Sequence, residues 1–213
     1  MSHPTSSYAS GLHAEALERK AALRRDLRAR RRALEPHVRE REMAAVIGHL
    51  RALATAAGER PRVAAYLPVG AEPDVRPYLA EVARAGGSVV VPVCLPEWRL
   101  AWTEWTPETE LVRSERAWVD EPEGERHGPE AVAAADLLLV PAQAIDTAGG
   151  RLGQGGGYYD RFLEQLRADG GGPEVLAVVY EHELLPAGEF PTESTDQPVD
   201  GVVTASGVRR FGL

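Results

Sequence analysis

The first quarter of the chain has the hydrophobic spacing of two amphipathic helices. Residues 12–34 contain no Gly or Pro, are rich in Ala, Leu, Arg and Glu, and place leucines at helical intervals. Pro36 interrupts this pattern, and residues 38–57 resume it with a second set of apolar positions. We therefore predict two long helices in succession.

Beyond Pro61 the helical spacing gives way to short, continuous apolar runs that Gly and Pro punctuate. Runs of this kind are typical of parallel strands that are buried on both faces. The predicted strands are 62–69, 88–95, 136–142, 175–180 and 199–204, and the predicted helices among them are 75–86 and 158–168. Residues 99–105 alternate and predict an antiparallel strand, whereas the polar residues 111–128 predict a loop.

This order of elements predicts the α/β class: a three-layer fold with a mostly parallel sheet flanked by helices, preceded by two N-terminal helices. A strand, a helix and a strand in succession favour a parallel pair joined by a right-handed crossover. The length of 213 residues suits one domain. We expect this α/β domain to span residues 12–213, after a disordered lead at residues 1–11.

Composition limits the possible locations. The chain has no run of about 18 apolar residues, so we expect no membrane span, and residues 1–10 lack the pattern of a signal peptide. The single cysteine, Cys94, excludes an intrachain disulfide and suits a reducing compartment. We therefore expect a cytoplasmic protein.

Positive charge is concentrated near the N-terminus of an otherwise acidic chain. Residues 19–41 carry ten basic and three acidic side chains, whereas the whole chain has a formal charge of −8. A nucleic-acid-binding module is one alternative, but the acidic remainder and the lack of interleaved aromatic residues favour a local site for a polyanion. Lys20 is the only lysine of the chain, which suggests a position that needs a compact ammonium group.

The most informative segment is a glycine-rich loop, residues 144–161, which follows a predicted buried strand and opens a predicted helix. In open α/β sheets ligands bind at this end of the strands, and glycines let several backbone N–H groups approach a phosphate. Arg151 and Arg161 add positive charge at the two ends of the glycine run. The loop lacks the lysine of a P-loop and has Tyr158 where a dinucleotide-binding loop needs its last glycine. We interpret it as a phosphate-binding loop, with a flexible surface loop as the alternative.

Four segments carry a resemblance to a known family. Residues 151–161 read RLGQGGGYYDR and resemble the RLGxGxGYYDR signature of the 5-formyltetrahydrofolate cyclo-ligases, also called methenyltetrahydrofolate synthetases. Three weaker similarities occur in the order found in that family: KAALR at 20–24, LPVGAEPD at 67–74 and TESTDQPVD at 192–200. The resemblance therefore extends over most of the chain.

The resemblance implies an enzyme that uses ATP and Mg²⁺ to convert 5-formyltetrahydrofolate into 5,10-methenyltetrahydrofolate, with release of ADP and phosphate. The partners that we expect are the folate and ATP, with no nucleic acid and no membrane, and we expect a monomer. A non-catalytic nucleotide-binding regulator of the same fold is the alternative. The presence of Lys20, Arg151 and the aspartates Asp160 and Asp196 favours the enzyme.

The resemblance also implies roles for individual residues. Arg151 is implied as the catalytic residue that stabilises charge on the transferred phosphoryl group, and Asp160 and Asp196 as ligands of Mg²⁺. The implied folate contacts are Leu67, Glu72 and Tyr159. The implied ATP contacts are Lys20, Arg24, Arg151, Leu152, Gly153, Gln154, Gly155, Gly156, Gly157, Tyr158 and Tyr159.

Each of these roles has a structural alternative. The basic residues of the first helix would form a solvated face, Asp160 would stabilise the first turn of a helix, Asp196 would cap a turn, and Glu72 would be a surface acid. Many members of the family have a basic residue inside the glycine loop, where this chain has Gln154. The segment 121–127 has no interpretation.

Overall fold

The computed structural model describes residues 5–117, 119–168, 170 and 172–212, with side chains from His13 onward. The helices are α1 (Thr5–Ala33), α2 (Pro36–Ala57), α3 (Arg76–Arg84), α4 (Glu130–Ala133) and α5 (Tyr158–Ala168). The two predicted N-terminal helices are confirmed. The first of them, α1, begins earlier than predicted, at Thr5, and no proline interrupts residues 5–35. Residues 5–11 are therefore helical where we expected a disordered lead, and residues 1–4 of that lead lie outside the described residues. No helix in these described ranges combines the length and the apolar character needed to cross a membrane.

A mostly parallel sheet forms the centre of the molecule. The strands are β1 (Arg62–Ala65), β2 (Ser88–Cys94), β3 (Leu100–Glu104), β4 (Leu111–Arg113), β5 (Asp120–Pro122), β6 (Leu137–Pro141), β7 (Ala144–Asp146), β8 (Arg151–Leu152), β9 (Glu174–Val178), β10 (Leu184–Leu185), β11 (Gly201–Thr204) and β12 (Gly207–Arg210). The central sheet has the order β12-β11-β9-β6-β1-β2-β3. Its five inner strands are parallel, and β3 and β12 pair antiparallel at the two edges. The predicted α/β class and the predicted antiparallel strand are confirmed.

Side chains of the central sheet alternate between two apolar cores, which produces three layers. In β6, Leu137 and Leu139 belong to the core that includes α2 and α3, whereas Leu138 and Val140 belong to the core that includes α5. A strand covered by helices on both faces needs apolar residues at every position. The continuous apolar run of β6 could therefore be recognised as a strand in the sequence. α1 contributes to a third, smaller cluster through Leu27.

The sequence pattern missed several short strands. The predicted loop 111–128 contains the antiparallel hairpin of β4 and β5, and β7, β8 and β10 form a second sheet with the order β10-β7-β8. β12 follows β11 where we predicted only a tail. The strands of the hairpin and of the second sheet have two or three residues, which is too short for an alternating pattern to be recognised.

Candidate functional site

Within the predicted loop 144–161, residues 144–146 form β7, residues 151–152 form β8, and α5 begins at Tyr158. Residues 153–157, called the glycine loop from here on, connect β8 to α5 at the carboxyl edge of the central sheet. Gly155 and Gly157 have φ angles of 105° and 75°, in the left-handed region that residues with a Cβ rarely adopt. A Cβ at Gly153 would lie 2.9 Å from Nη1 of Arg151. A Cβ at Gly157 would lie 2.6 Å from Nη1 of Arg161. The left-handed φ angles therefore favour glycine at positions 155 and 157, and two guanidinium groups lie close to the backbone of the loop.

The first helix holds this loop in place. Nε of Arg24 donates a hydrogen bond of 2.8 Å to the carbonyl oxygen of Gly153. Nη2 of Arg28 donates to Oε1 of Gln154 at 2.7 Å and to its carbonyl oxygen at 3.3 Å. Partial burial, followed by repulsion from Arg28, lowers the pKa of Arg24, although Asp196 and other nearby carboxylates oppose that shift. The predicted ATP contact Arg24 thus lies directly against the glycine loop.

Lys20 is buried and is not part of a solvated face. Its side chain is 4% exposed, and its Nζ lies 2.5 Å from Oδ2 of Asp196 and 3.0 Å from Oε2 of Glu193. The hydrogen bond from Lys20 lowers the pKa of Glu193. A buried ammonium group needs such partners, and the sequence did not indicate that Glu193 would be one of them. The contact brings the first helix to the loop that precedes β11.

Arg151 is fixed by one of the predicted metal ligands. Its Nη2 donates a hydrogen bond of 2.6 Å to Oδ1 of Asp160, and its guanidinium carbon lies 5.7 Å from the centre of the Tyr159 ring. Nε of Arg151 is buried and has no hydrogen-bond partner among the described residues. The predicted catalytic arginine is therefore oriented by Asp160 and keeps an unused donor.

Asp160 and Asp196 lie close together although they are 36 positions apart in the sequence. The backbone N–H of Gln197, the residue after Asp196, donates to Oδ1 of Asp160 at 3.2 Å. Oδ2 of Asp160 and Oδ1 of Asp196 accept no hydrogen bond from the described residues. Two carboxylates with one unused oxygen each fit Mg²⁺, which takes one or two carboxylates together with waters and phosphate oxygens. The same described ranges contain no group of three His, Cys, Asp or Glu side chains for a metal ion.

Glu72 is a buried acid in the turn after β1. It is 7% exposed, and its Oε2 accepts a hydrogen bond of 2.9 Å from the backbone N–H of Val69. Its Oε1 accepts a hydrogen bond of 2.6 Å from Nε2 of Gln154 in the glycine loop. Burial raises the pKa of Glu72, and these two hydrogen bonds limit the rise. The alternative of a surface acid is therefore wrong for Glu72.

The remaining residues of the signature divide between the site and the core. The hydroxyl oxygen of Tyr159 is buried without a hydrogen-bond partner in the described part of the chain, and burial raises its pKa. Tyr158 packs against the core that includes α5. The side chain of Leu152 is buried in the third cluster, so only its backbone can reach a nucleotide. Leu67 is partly buried against the core that includes α2 and α3.

The sequence pattern missed one buried ion pair that anchors α1. Nε and Nη2 of Arg31 donate to the two carboxylate oxygens of Glu183 at 2.6 and 2.8 Å, and Nη2 also donates to the carbonyl oxygen of Ala142 at 2.9 Å. Burial alone would lower the pKa of Arg31, but the hydrogen-bonded carboxylate of Glu183 outweighs it and raises that pKa. In the sequence, Arg31 is one member of a basic run whose partner is 152 residues away. Several side chains of this basic run therefore have acceptors inside the protein.

Comparisons with known proteins agree with this architecture. The model of the 5-formyltetrahydrofolate cyclo-ligase family matches residues 16–205. A 5-formyltetrahydrofolate cyclo-ligase of Mycolicibacterium smegmatis is 37% identical over 193 residues, which are 87% of this chain and 93% of that protein. One of Escherichia coli is 33% identical over 148 residues, which are 68% of this chain and 79% of that protein.

Two solved structures of methenyltetrahydrofolate synthetases are similar to this chain. The solution structure of the 5,10-methenyltetrahydrofolate synthetase of Aquifex aeolicus is 30% identical and superposes with a TM-score of 0.73, covering 90% of this chain and 92% of that one. A synthetase from Mycoplasma pneumoniae shares the fold, with a TM-score of 0.69 at 21% identity, over 87% of this chain and 98% of that one. The sequence and the structure together place this chain in the 5-formyltetrahydrofolate cyclo-ligase family.

Proposed function

We propose that the protein uses ATP and Mg²⁺ to convert 5-formyltetrahydrofolate into 5,10-methenyltetrahydrofolate, ADP and phosphate. The observation that carries this proposal is that Arg24 and Arg151 lie against one glycine loop at the carboxyl edge of the sheet. Lys20, one helical turn before Arg24, pairs with the predicted metal ligand Asp196. A loop with approachable N–H groups, two cations against it and a third one helical turn away suits the triphosphate of a nucleotide.

In this proposal the glycine loop and the first turn of α5 bind the phosphates of ATP. The free N–H groups and the positive dipole end of α5 favour an anion at this position. Arg151 has an unused Nε donor, and we assign it to the charge that develops on the transferred phosphoryl group. Arg24 acts partly through the loop, because its hydrogen bond to Gly153 fixes the shape of the backbone.

Lys20 changes partners when the nucleotide binds. Without nucleotide, Asp196 and Glu193 neutralise the buried ammonium group. Phosphate oxygens at the glycine loop compete for the same ammonium group and free Oδ2 of Asp196. We assign Mg²⁺ to Asp160 and Asp196, where it would neutralise phosphate charge when bound.

The folate binds on the side of the loop that faces the end of β1. Glu72, Leu67 and Tyr159 form this side, and the carboxylate of Glu72 is suited to accept hydrogen bonds from the amino group and a ring N–H of a pterin. Gln154 contacts Glu72 directly, so the folate side and the phosphate side of the site meet at the glycine loop.

The reaction needs activation because a formyl amide is a poor electrophile and its oxygen is a poor leaving group. Transfer of the γ-phosphoryl group to the formyl oxygen releases ADP. N10 of the folate then bonds to the formyl carbon and loses its proton, and phosphate leaves with the former formyl oxygen. The protein holds the two substrates together, offsets the developing negative charge and excludes water.

An absorbance assay for methenyltetrahydrofolate tests this proposal. The complete mixture contains the protein, 5-formyltetrahydrofolate, ATP and Mg²⁺, and the control mixtures omit ATP or Mg²⁺. Product that requires both, formed with an equal amount of ADP, supports the proposal, as does transfer of heavy oxygen from the formyl group to phosphate. Product in the absence of ATP, or none in the complete mixture, contradicts it.

We also propose that the protein works as a monomer in the cytoplasm. The lone thiol of Cys94 is half-buried and suits a reducing compartment. Sedimentation at the mass of one chain, and fractionation with the cytoplasm of the native cell, would support these two assignments; a dimer mass or a different fraction would contradict them.

A further inference from the structure

The connection between β2 and β3 presents an exposed tryptophan on strained backbone. Glu97 and Trp98 have φ angles of 61° and 55°, and among the described residues they are the non-glycine positions with a left-handed φ. Residues with a Cβ keep this conformation only where the surrounding structure imposes it, often at ligand sites. Trp98 is 53% exposed, more than any other large apolar side chain that the structure describes.

The indole of Trp98 lies against a cation that has no acidic partner. The guanidinium carbon of Arg161 is 5.1 Å from the centre of the Trp98 ring, which is the geometry of a cation–π contact. In the described chain the Arg161 side chain forms no ion pair and no hydrogen bond, although the protein carries an excess of acids. Its Nη1 lies 2.6 Å from the position that a Cβ of Gly157 would take. An exposed aromatic ring and an unpaired cation therefore lie together at the end of the glycine loop.

This pair lies toward the folate side of the site. Trp98 follows β2, the neighbour of β1 in the sheet, and Glu72 follows β1 at the same edge. Asp160, the residue before Arg161 in the sequence, contacts Arg151 and the backbone of Gln197. The first turn of α5 thus separates the proposed metal position from the pair of Trp98 and Arg161.

We propose that Trp98 and Arg161 form a subsite for the p-aminobenzoylglutamate part of the folate substrate, an inference that rests on the proposed function. A folate joins an aromatic ring to a glutamate, and the pair offers an indole face beside a guanidinium group. The ring stacks on Trp98, and a glutamate carboxylate accepts hydrogen bonds from Arg161. The proposed function assigns Lys20, Arg24 and Arg151 to the phosphates of ATP. Arg161 therefore remains available to bind a different anion.

The test compares 5-formyltetrahydrofolate with the carboxamide of 5-formyltetrahydropteroate, below called the pteroate, which lacks the glutamate and carries no carboxylate. A carboxylate–guanidinium contact should make the KM for the pteroate about tenfold higher in the natural protein. Arg161→Gln should bring the two KM values together, and Arg161→Lys should restore part of the difference. Trp98→Ala should raise the KM for both compounds, because both carry the benzoyl ring. Arg84→Gln is the matched control, since it removes an arginine from the last turn of α3 and should leave the ratio unchanged.

An unchanged KM ratio in Arg161→Gln would overturn the subsite. A higher KM for ATP in that variant, with the folate-to-pteroate ratio intact, would also overturn it and would assign Arg161 to phosphate. If the natural protein turns over neither compound, the proposed function fails. The dissociation constants of both compounds, measured by calorimetry, would then still decide whether Arg161 recognises the glutamate.

Discussion

Nε2 of Gln154 donates a hydrogen bond of 2.6 Å to Oε1 of Glu72 and so joins the glycine loop to the turn after β1. Oε1 of the same amide accepts a hydrogen bond of 2.7 Å from Arg28 in the first helix. Gln154 therefore connects three segments that are distant in the sequence. Both ends of the amide have a partner, and the side chain holds the loop in place without adding a charge beside Glu72.

Gln154→Glu should weaken folate binding. The new carboxylate would face the carboxylate of Glu72 and further raise its pKa, which burial already raises. The KM for 5-formyltetrahydrofolate should rise about tenfold at neutral pH and recover as the pH falls, because one of the two acids then becomes protonated. Gln154→Met, which has a similar size and no charge, should show a smaller rise without this pH dependence. A KM for Gln154→Glu that equals the natural value would argue against a contact between Glu72 and the folate.

Lys20→Met should reduce the affinity for ATP by about tenfold or more, since a charge-assisted contact with phosphate is lost. The fold should survive, because the helix keeps its other contacts through Arg24 and Arg31. Calorimetric titration with ATP and a thermal unfolding curve measure the two effects. Glu193→Gln is the control and should keep most of the affinity, as Lys20 retains Asp196. Equal ATP affinity in Lys20→Met and the natural protein would remove Lys20 from the nucleotide site.

Asp160→Asn should raise the Mg²⁺ concentration needed for half-maximal activity several-fold. The amide oxygen can still accept the hydrogen bond of Arg151, so the change tests the charge of the side chain more than its packing. Activity measured against Mg²⁺ concentration gives the result. Asp136→Asn is a matched control, because Asp136 accepts a hydrogen bond from the backbone of Arg62, where β1 begins. The same Mg²⁺ curve for all three proteins would argue against a metal ligand at Asp160.

Glu183→Gln should destabilise the protein by about 3–5 kcal/mol, because it leaves the buried guanidinium of Arg31 without a countercharge. The exposed pair of Arg51 and Glu81 has similar distances of 2.6 and 2.7 Å. Glu81→Gln should nevertheless cost less than about 1 kcal/mol, since water solvates both of its charges. Urea unfolding at equilibrium measures both changes. Similar losses of unfolding free energy in the two variants would show that burial does not increase the contribution of the pair of Arg31 and Glu183 to stability.

Gly156→Val should abolish ATP binding with little effect on stability. Gly156 does not have a left-handed φ, and a Cβ there would approach only the ring of Tyr158, at 3.3 Å. Gly157→Val should reduce stability as well, because its φ is 75° and Arg161 occupies the position of the Cβ. ATP titration and thermal unfolding of both variants make the comparison. Full activity of Gly156→Val would exclude the loop from phosphate binding.

The sequence predicted the five parallel strands of the central sheet because they are continuous apolar runs, and it predicted α5 at about residues 158–168. It did not predict β12, which completes that sheet at one edge. It did not predict β7, β8 and β10, whose few residues have no period of their own. The glycine run identified the candidate site in the sequence, because phosphate binding by such a run depends on local backbone geometry. The partners of Lys20 and Arg31 were not predictable in the same way, because they lie 173, 176 and 152 residues away and only the tertiary fold brings them close.

The central claim is that the backbone of residues 153–157 binds the triphosphate of ATP. A crystal structure with a non-hydrolysable ATP analogue, Mg²⁺ and 5-formyltetrahydrofolate tests it most directly. The account predicts phosphate oxygens within hydrogen-bond distance of the loop N–H groups, with Arg151 beside the γ-phosphate. A nucleotide bound elsewhere, with these N–H groups facing water, would contradict it.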